Sequence, residues 1–213
     1  MIHSIFLVLS LVMLGGHCHR YHHKHYPPKM MNLPVPPAGA KKCPAGFNWF
    51  TRGGDRQVCL RYITNGLKPE DVCSSVGAQI YGLETQIERD FLYDVARADL
   101  NMRGVKEGGA WIGAQRNMSC LNCPVDQQFI WTDGVTVGRE PLSPKYWQKY
   151  QPNDSQWFSA NGERCVTMYI RSYVEADNGL YDDVPCELKG LPSYGEKYGP
   201  MGVFGTVCGV LAA

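Results

Sequence analysis

The spacing of apolar residues changes along the chain and predicts which segments are helical. Between residues 84 and 100, apolar side chains recur at intervals of three and four, as on one face of an amphipathic helix. The residues on that face are Ile87, Phe91, Leu92 and Val95. A shorter helix is predicted from Lys68, because Pro69 and two acidic residues fill its first turn and apolar positions continue to Ala78.

Short runs of aromatic and β-branched residues predict strands on both sides of these helices. The first two runs flank Gly53 and Gly54, which predicts a hairpin that a Cys43–Cys59 disulfide could join. After Gly109, further runs alternate with loops rich in Gly, Pro, Asn and Asp. The runs comprise residues 47–50, 58–63, 110–113, 129–131, 166–170 and 203–207. Two helices with short strands, expected to be antiparallel, and long loops predict an α+β domain stapled by disulfides.

The N-terminus carries the pattern of a secretory signal peptide. An apolar run at residues 5–14 is too short to span a bilayer, and small residues at Gly16 and Cys18 allow cleavage after Cys18. Residues 1–18 are therefore interpreted as a signal peptide, and the protein is expected to be secreted and extracellular. The alternatives are an uncleaved anchor or a buried strand. No later run is long and apolar enough to span a membrane.

Residues 19–42 have the composition of an extended linker. They contain five prolines and four histidines but no apolar period. The histidines could capture a metal ion, but a solvated tether explains the same composition and is favoured. The folded domain is therefore expected to occupy residues 43–213.

Charge, cysteine and histidine usage exclude several classes of function. The net charge of +1 provides no electrostatic argument for binding nucleic acid or a membrane surface. Nine cysteines are present, and removal of Cys18 leaves eight, which can form four disulfides. All six histidines lie within the first 25 residues, so the domain has no Ser-His or Cys-His nucleophile pair and no histidine-ligated zinc. An enzymatic function is not predicted.

One cysteine pair needs separate consideration. Cys120 and Cys123 have the spacing of a redox motif, but Pro124 and the loop setting favour a structural disulfide.

Oxygen-bearing side chains are concentrated in the second half of the domain. Gln151 and Asn153 flank Pro152, and a cis peptide bond at this proline would turn both side chains the same way. If Cys165 pairs with Cys186, the disulfide brings the nearby carboxylates together. These carboxylates are Glu163, Asp182 and Asp183. Oxygen donors without nitrogen or sulfur are typical of a Ca²⁺ site.

Seven short motifs occur in order along the domain: CSSVGA (73–78), WIG (111–113), WTDG (131–134), YW (146–147), QPN (151–153), ERC (163–165) and YDDVPC (181–186). In their order and spacing, the sequence resembles the C-type lectin domain from Cys43 to Cys208. The resemblance implies a C-type lectin-like fold with four disulfides. The implied pairs are Cys43–Cys59, Cys73–Cys208, Cys165–Cys186 and, from the two cysteines left over, Cys120–Cys123.

The resemblance also implies a calcium-dependent carbohydrate site. The implied Ca²⁺ ligands are Gln151, Asn153, Glu163, Asp182 and Asp183, and two adjacent sugar hydroxyls complete the coordination. The first four side chains would also hydrogen-bond those hydroxyls. Trp157 either stacks on an apolar sugar face or packs the loop. The alternative function is a module of this fold that binds a protein, with Ca²⁺ structural or absent.

The sequence departs from the family pattern in the groups that select the sugar. The family's bends are Glu-Pro-Asn for mannose and Gln-Pro-Asp for galactose, whereas this chain has two amides, at Gln151 and Asn153. The usual Asn-Asp pair is Asp182 and Asp183 here, so the three negative charges of the mannose type are kept. The pattern therefore matches neither the mannose type nor the galactose type.

Other departures concern modification and a second metal site. Asn117 begins a glycosylation sequon on a loop, and Asn153 begins another on a proposed ligand, where a glycan would block the site. The family's auxiliary calcium site could use Asp154, but Arg164 stands where an acid often helps, so no second site is predicted. Residues 187–207 form a long insertion rich in Gly, Tyr and Pro, interpreted as a surface loop.

Overall fold

The structure is a computed structural model of the 213-residue chain. It describes residues 35–64, 68–156, 159–171, 179–187 and 202–213. The interpreted signal peptide, the histidine-rich part of the linker, Trp157 and most of the 187–207 insertion lie outside these residues.

The described residues form two α-helices and eight strands. The strands are β1 (Asn48–Arg52), β2 (Arg56–Thr64), β3 (Gln79–Ile80), β4 (Glu107–Arg116), β5 (Phe129–Trp131), β6 (Cys165–Arg171), β7 (Tyr181–Val184) and β8 (Val203–Leu211). The helices are α1 (Pro69–Ser75) and α2 (Gln86–Met102). Short 3₁₀ turns cover Gly53–Asp55, Val125–Gln127, Glu140–Leu142 and Pro144–Tyr146. The α+β prediction is confirmed, and neither helix is long and apolar enough to cross a membrane.

The strands form one mixed sheet in the order β1-β2-β8-β4-β6-β7, with β3 attached to β8 and β5 to β4. The pairings are antiparallel, as predicted, with one exception: β4 and β8 run parallel, so the sheet is mixed. Because β6 runs antiparallel to both β4 and β7, the end of β4, the start of β6 and the end of β7 meet at one edge of the sheet. That edge carries the oxygen-rich segments identified in the sequence.

Gly108 and Gly109, which precede the strand predicted at residues 110–113, lie inside that strand. β4 begins at Glu107, so Gly108 and Gly109 belong to it rather than to a break before it. A Cβ atom on Gly108 would lie 2.3 Å from the Phe204 ring. Glycine is therefore required here so that the Phe204 ring of β8 can pack against the β4 backbone.

The two residues before the first cysteine are hydrogen-bonded to β2 and to Ala213. The backbone N–H of Lys42 donates to Ala213 O at 2.9 Å, and Ala213 N–H donates back to Lys42 O at 3.2 Å. The Lys41 N–H donates to the Gln57 side chain at 2.9 Å. Lys41 and Lys42, assigned to the linker from their composition, are thus hydrogen-bonded to the domain.

The buried face of α2 differs from the predicted one. Phe91 and Leu92 are buried as predicted, but Ile87 is 66% exposed, so its place on the apolar face was wrong. Glu88 is buried instead, because it completes a capping box with Thr85 and pairs with the buried Arg52 at 2.6 Å. This ion pair sets which face of α2 contacts the sheet.

The structure contains the four disulfides that the resemblance implies, Cys43–Cys59, Cys73–Cys208, Cys120–Cys123 and Cys165–Cys186. Cys73–Cys208 joins α1 to β8 across a separation of 135 residues. Cys165–Cys186 joins the start of β6 to the segment after β7, and so fixes the edge of the sheet where the acidic residues lie.

Candidate functional site

The candidate site lies at the sheet edge where β4 ends, β6 begins and β7 ends. The loop that follows the last 3₁₀ turn, Pro144–Tyr146, crosses this edge with a cis peptide bond between Gln151 and Pro152. Tyr150 and Asp154 have positive φ angles of 74° and 51°. The bend expected at Pro152 is therefore present, and it brings the following residues back towards β7.

Asp183 ties this loop to β7. Its carboxylate accepts the backbone N–H groups of Asn153 at 3.0 Å and Asp154 at 2.9 Å. The side chain is fully buried. Burial raises its pKa, and the hydrogen bonds from the two backbone amides and from Arg116 oppose that rise. The first role of Asp183 is thus to hold the loop.

Glu163 makes a second connection to the same loop. Its Oε2 atom accepts the Ser155 N–H at 2.9 Å, and its backbone N–H donates to Asp154 Oδ1 at 3.0 Å. The preceding Gly162 has φ of +72°, and a Cβ there would lie 2.3 Å from Asp154 Oδ1. Glycine is therefore needed where the two segments approach each other.

Asp182 is the least compensated of the three carboxylates. It is 4% exposed, and its Oδ1 atom has no hydrogen-bond partner. Burial, reinforced by the charges of Asp183 and Glu163, raises its pKa to about 8. Burial is also the main reason that the pKa of Glu163 rises to about 7. The charges of the neighbouring carboxylates contribute to both shifts in the same direction, because like charges disfavour ionisation.

Arg116 is a member of the site that the sequence analysis missed. It is the last residue of β4, and its guanidinium Nη2 donates to Asp183 Oδ2 at 2.5 Å. Its Nε atom donates to Glu163 O at 3.1 Å and lies 3.7 Å from Asp154 Oδ1. An arginine at the end of a strand normally reaches solvent, so no feature of the sequence distinguishes this one.

The donor set fits a hard cation, although the side chains are not converged on one point. Among the described residues, no group of three or more His, Cys, Asp and Glu side chains is arranged to hold a metal ion. The Glu163 and Asp183 carboxylates are instead directed to backbone amides and to Arg116. Two buried acceptor atoms of the predicted ligands, Gln151 Oε1 and Asp182 Oδ1, have no partner. Unpaired oxygen acceptors beside crowded carboxylates are the surroundings that Ca²⁺ would complete.

The remaining predicted residues are placed as follows. The side chain of Asn153 is exposed beside the bend. Asn117 is half-buried in the loop after β4, where its Oδ1 accepts the Ser119 N–H at 3.1 Å. Trp157 lies outside the described residues. An open depression adjoins the site, and its described lining is Asn161, Gly162, Arg164, Cys186 and Glu187.

Comparison with protein families gives a match over most of the chain. The model of the family described as C-type lectin domain-containing protein 141/158 matches residues 43–211. The chain belongs to this C-type lectin family. Its α+β fold is accordingly the C-type lectin-like fold, and C-type lectin domains are generally non-enzymatic modules that typically bind Ca²⁺.

Solved structures similar to this C-type lectin domain have low sequence identity to it. Human lithostathine is 20% identical over 82% of this chain and 94% of its own, with a TM-score of 0.46. The mouse scavenger receptor C-type lectin carbohydrate-recognition domain is 16% identical over 80% and 98%, with a TM-score of 0.42. SPL-1, solved as a GlcNAc complex, is 17% identical over 79% and 94%, also with a TM-score of 0.42. No curated protein matches this C-type lectin.

Proposed function

We propose that this C-type lectin domain binds Ca²⁺ and, through that ion, a carbohydrate. The observation that carries the proposal is the pair of buried, unpartnered acceptors, Gln151 Oε1 and Asp182 Oδ1, in a cluster of mutually repelling carboxylates. Most buried polar atoms are hydrogen-bonded, so two unpartnered acceptors beside crowded carboxylates support a missing partner at this site. A divalent cation would satisfy both atoms and offset the crowded negative charge.

The residues that would hold the ion are Gln151, Asn153, Glu163, Asp182 and Asp183. Three carboxylates and two amide carbonyls suit a hard cation, and their three negative charges exceed the two positive charges of Ca²⁺. The bound ion would coordinate two adjacent hydroxyl oxygens of a sugar. The protein's part is to keep the oxygen donors on one side of the bend, which the Asp183 contacts to the loop backbone achieve.

The same side chains would also orient the sugar by hydrogen bonds. Gln151 and Asn153 can donate through their amide NH₂ groups, whereas Glu163 and Asp182 can only accept when ionised. One hydroxyl could then face two donors and the other two acceptors. Because a hydroxyl has one proton, one acceptor would stay unused, at a cost of about 1–3 kcal/mol. We therefore expect weaker sugar discrimination than a bend with one donor and one acceptor would give.

The surroundings proposed for this activity are extracellular. Four disulfides are typical of proteins from oxidising compartments. Together with the apolar run at residues 5–14, they support secretion with residues 1–18 as the signal peptide. Asn117, half-buried on a surface loop, is the proposed glycan acceptor. Loss of a glycosidase-sensitive mass in Ser119→Ala would establish this, and an unchanged mass would refute it.

The metal is tested by thermal unfolding with Ca²⁺ and with a chelator. Saturation at a hundredfold excess over Kd stabilises the native state by about 2.7 kcal/mol, which for a domain of this size is a Tm rise of roughly 5 °C or more. Asp182→Asn should remove most of that rise, since it lowers the site charge while leaving the Asp183 contacts intact. Asp90→Asn, which changes an exposed carboxylate of α2, is the matched control. Equal melting curves with Ca²⁺ and chelator would contradict the metal assignment.

The ligand is tested on a glycan array, once with Ca²⁺ and once with chelator. Binding that chelator abolishes, and that Asp182→Asn weakens, is the expected result. A clear Ca²⁺-dependent melting shift without any glycan signal would point to the second function, a module of this fold that binds protein with Ca²⁺ as a structural ion.

A further inference from the structure

A buried arginine lies inside the carboxylate cluster that we assign to calcium. The Arg116 side chain is 4% exposed. Its guanidinium contacts the Asp183 carboxylate and the Glu163 carbonyl, and it lies 3.7 Å from Asp154 Oδ1. It also covers the Phe129 ring, with 4.7 Å from Cζ to the ring centroid, which fixes the plane of the group. One side chain thus reaches β7, the segment before β6 and the loop after Pro152.

These contacts are connected to the hydrogen bonds that shape the binding loop. Asp183 receives the Arg116 hydrogen bond and, with the same carboxylate, the N–H groups of Asn153 and Asp154. Asp154 in turn accepts from the Glu163 N–H. The arginine therefore compensates the acid on which the loop conformation depends. Without it, Asp183 would be a buried carboxylate held by backbone amides alone.

Once all its carboxylates are ionised, the cluster contains more negative charge than one arginine can offset. Asp154, Glu163, Asp182 and Asp183 supply four carboxylates, and Arg116 supplies one positive charge. A buried carboxylate is costly unless a positive charge compensates it. Two cations that compensate the same carboxylates repel each other, and each reduces the negative charge available to the other. Arg116 and Ca²⁺ should therefore oppose each other in this site.

We propose that Arg116 is a built-in cation that keeps the binding loop folded without metal and, in doing so, lowers the affinity of the site for Ca²⁺. The first half of this proposal is independent of metal. The second half rests on the calcium site proposed above. Arg116 is a positioning residue here, because it touches the ligand-bearing segments and is not itself a ligand.

The decisive comparison is Arg116→Gln against Arg164→Gln, measured in chelator and in Ca²⁺. Both variants remove one positive charge within the same region, but the Arg164 side chain is exposed. In chelator, Arg116→Gln should lower Tm by roughly 6 °C or more, as expected when one partner of a buried ion pair is removed. Arg164→Gln should stay within about 2 °C of the parent. In titrations, Arg116→Gln should bind Ca²⁺ roughly tenfold more tightly than the parent.

The affinity readout distinguishes this role from a purely structural one. If Arg116 only packed the loop, its loss would weaken or leave unchanged the affinity for Ca²⁺, and either result would overturn the antagonism. Equal Tm values of Arg116→Gln and Arg164→Gln in chelator would overturn the proposal that Arg116 keeps the loop folded without metal. A third outcome is that Arg116→Gln is less stable than the parent but neither protein responds to Ca²⁺. That result would refute the calcium site and the proposed opposition between Arg116 and Ca²⁺, and would support the metal-free role of Arg116.

A conservative variant covers the case in which Arg116→Gln does not fold in chelator. Arg116→Lys keeps the charge but loses the several directed donors of a guanidinium. In chelator, Arg116→Lys should fold, with a Tm between those of the parent and Arg116→Gln. It should also bind Ca²⁺ less tightly than Arg116→Gln does after that variant has been refolded in Ca²⁺. An Arg116→Lys variant that is as unstable as Arg116→Gln in chelator would show that charge is not what the site needs, and would overturn the proposal.

Discussion

At the residue scale, two neighbouring acids of β7 have different surroundings. Asp183 is compensated by two backbone amides and Arg116, whereas Asp182 has an oxygen without a partner. Substituting Asp183 would therefore disturb the loop and any bound metal together. Substituting Asp182 affects the metal more selectively, which is why the calcium test uses Asp182→Asn.

The raised pKa values predict how stability depends on pH. The pKa of Asp182 is raised from 3.8 to about 8 and that of Glu163 from 4.5 to about 7, mainly by burial. The folded state then holds protons that the unfolded chain releases. The two carboxyl groups therefore contribute fully to stability below their ordinary pKa values, and this contribution is lost as pH rises through their pKa values in the folded state. In chelator, Tm should fall between about pH 5 and pH 8.

The control for this pH dependence is Asp182→Asn, whose side chain cannot titrate. It should reduce the fall in Tm over the same pH range in chelator. Saturating Ca²⁺ should also reduce the fall in the parent, because a cation favours the ionised carboxylates. A Tm in chelator that rises over this range, or an equal slope in Asp182→Asn, would contradict the assignment.

A double substitution tests the hydrogen-bond argument for sugar choice. Gln151→Glu with Asp182→Asn keeps three negative charges and restores one donor and one acceptor on each side of the site. Each recovered hydrogen bond contributes about 0.5–1.5 kcal/mol, so two could raise mannose affinity by roughly tenfold. Titration with mannose in saturating Ca²⁺ measures this. If the double variant binds Ca²⁺ but mannose no more tightly than the parent, the donor pattern does not select the sugar.

At the scale of elements, helix α2 is positioned by an ion pair as well as by its apolar residues. Arg52 of β1 donates to Glu88 from Nε at 2.6 Å and from Nη2 at 3.0 Å, and it also contacts Thr136 and the Gly82 carbonyl. Glu88 further accepts the N–H groups of residues 84 and 85. The buried Arg52–Glu88 pair thus joins the hairpin, the start of α2 and a distant loop.

This arrangement predicts effects of very different size for two adjacent residues of α2. Glu88→Ala should destabilise the domain by about 3–5 kcal/mol, because it leaves the Arg52 charge buried without its partner. Ile87→Ala should change stability by less than about 0.5 kcal/mol, because that side chain is mostly exposed. Urea unfolding of both variants gives the two free energies. A larger loss for Ile87→Ala than for Glu88→Ala would show that the apolar pattern, not the ion pair, positions the helix.

At the scale of the whole molecule, the disulfides close loops of very different length. Cys73–Cys208 encloses most of the domain with a separation of 135 residues, whereas Cys120–Cys123 spans only 3. In the chain-entropy description, the long loop contributes about 5 kcal/mol and the short one about 2 kcal/mol. The two bridges should therefore have unequal effects on the domain.

Paired serine substitutions test this difference. Replacing Cys73 and Cys208 should unfold the domain or lower its stability by about 3 kcal/mol more than replacing Cys120 and Cys123. Urea unfolding measures both, and alkylation under denaturing, non-reducing conditions should find no free thiol in the parent. Similar losses for the two pairs would contradict the account, and alkylated cysteines in the parent would contradict the pairing itself.

Much of the fold followed from local patterns in the sequence. Apolar periodicity and turn residues are visible in the sequence, and they predicted several elements. These are the hairpin around Gly53 and Gly54, both helices, and the strand at residues 129–131. β7 was recognised only as a motif, because two acids in four residues do not look like a strand. They are buried there because β6 pairs with them and the loop after Pro152 covers them.

The sequence by itself determined the chemistry of the site, since the identities of Gln151, Asn153, Glu163, Asp182 and Asp183 set the number of oxygen donors and the charge. Only the tertiary structure decided which of these atoms lack a partner, and that Arg116 lies among them. The physical reason is that compensation of a buried charge depends on distance and solvent exclusion, and both arise when β4, β6 and β7 meet. The exposed Ile87 and the buried Glu88 have the same cause, because a pairing partner 36 residues away in β1 fixed the face of the helix.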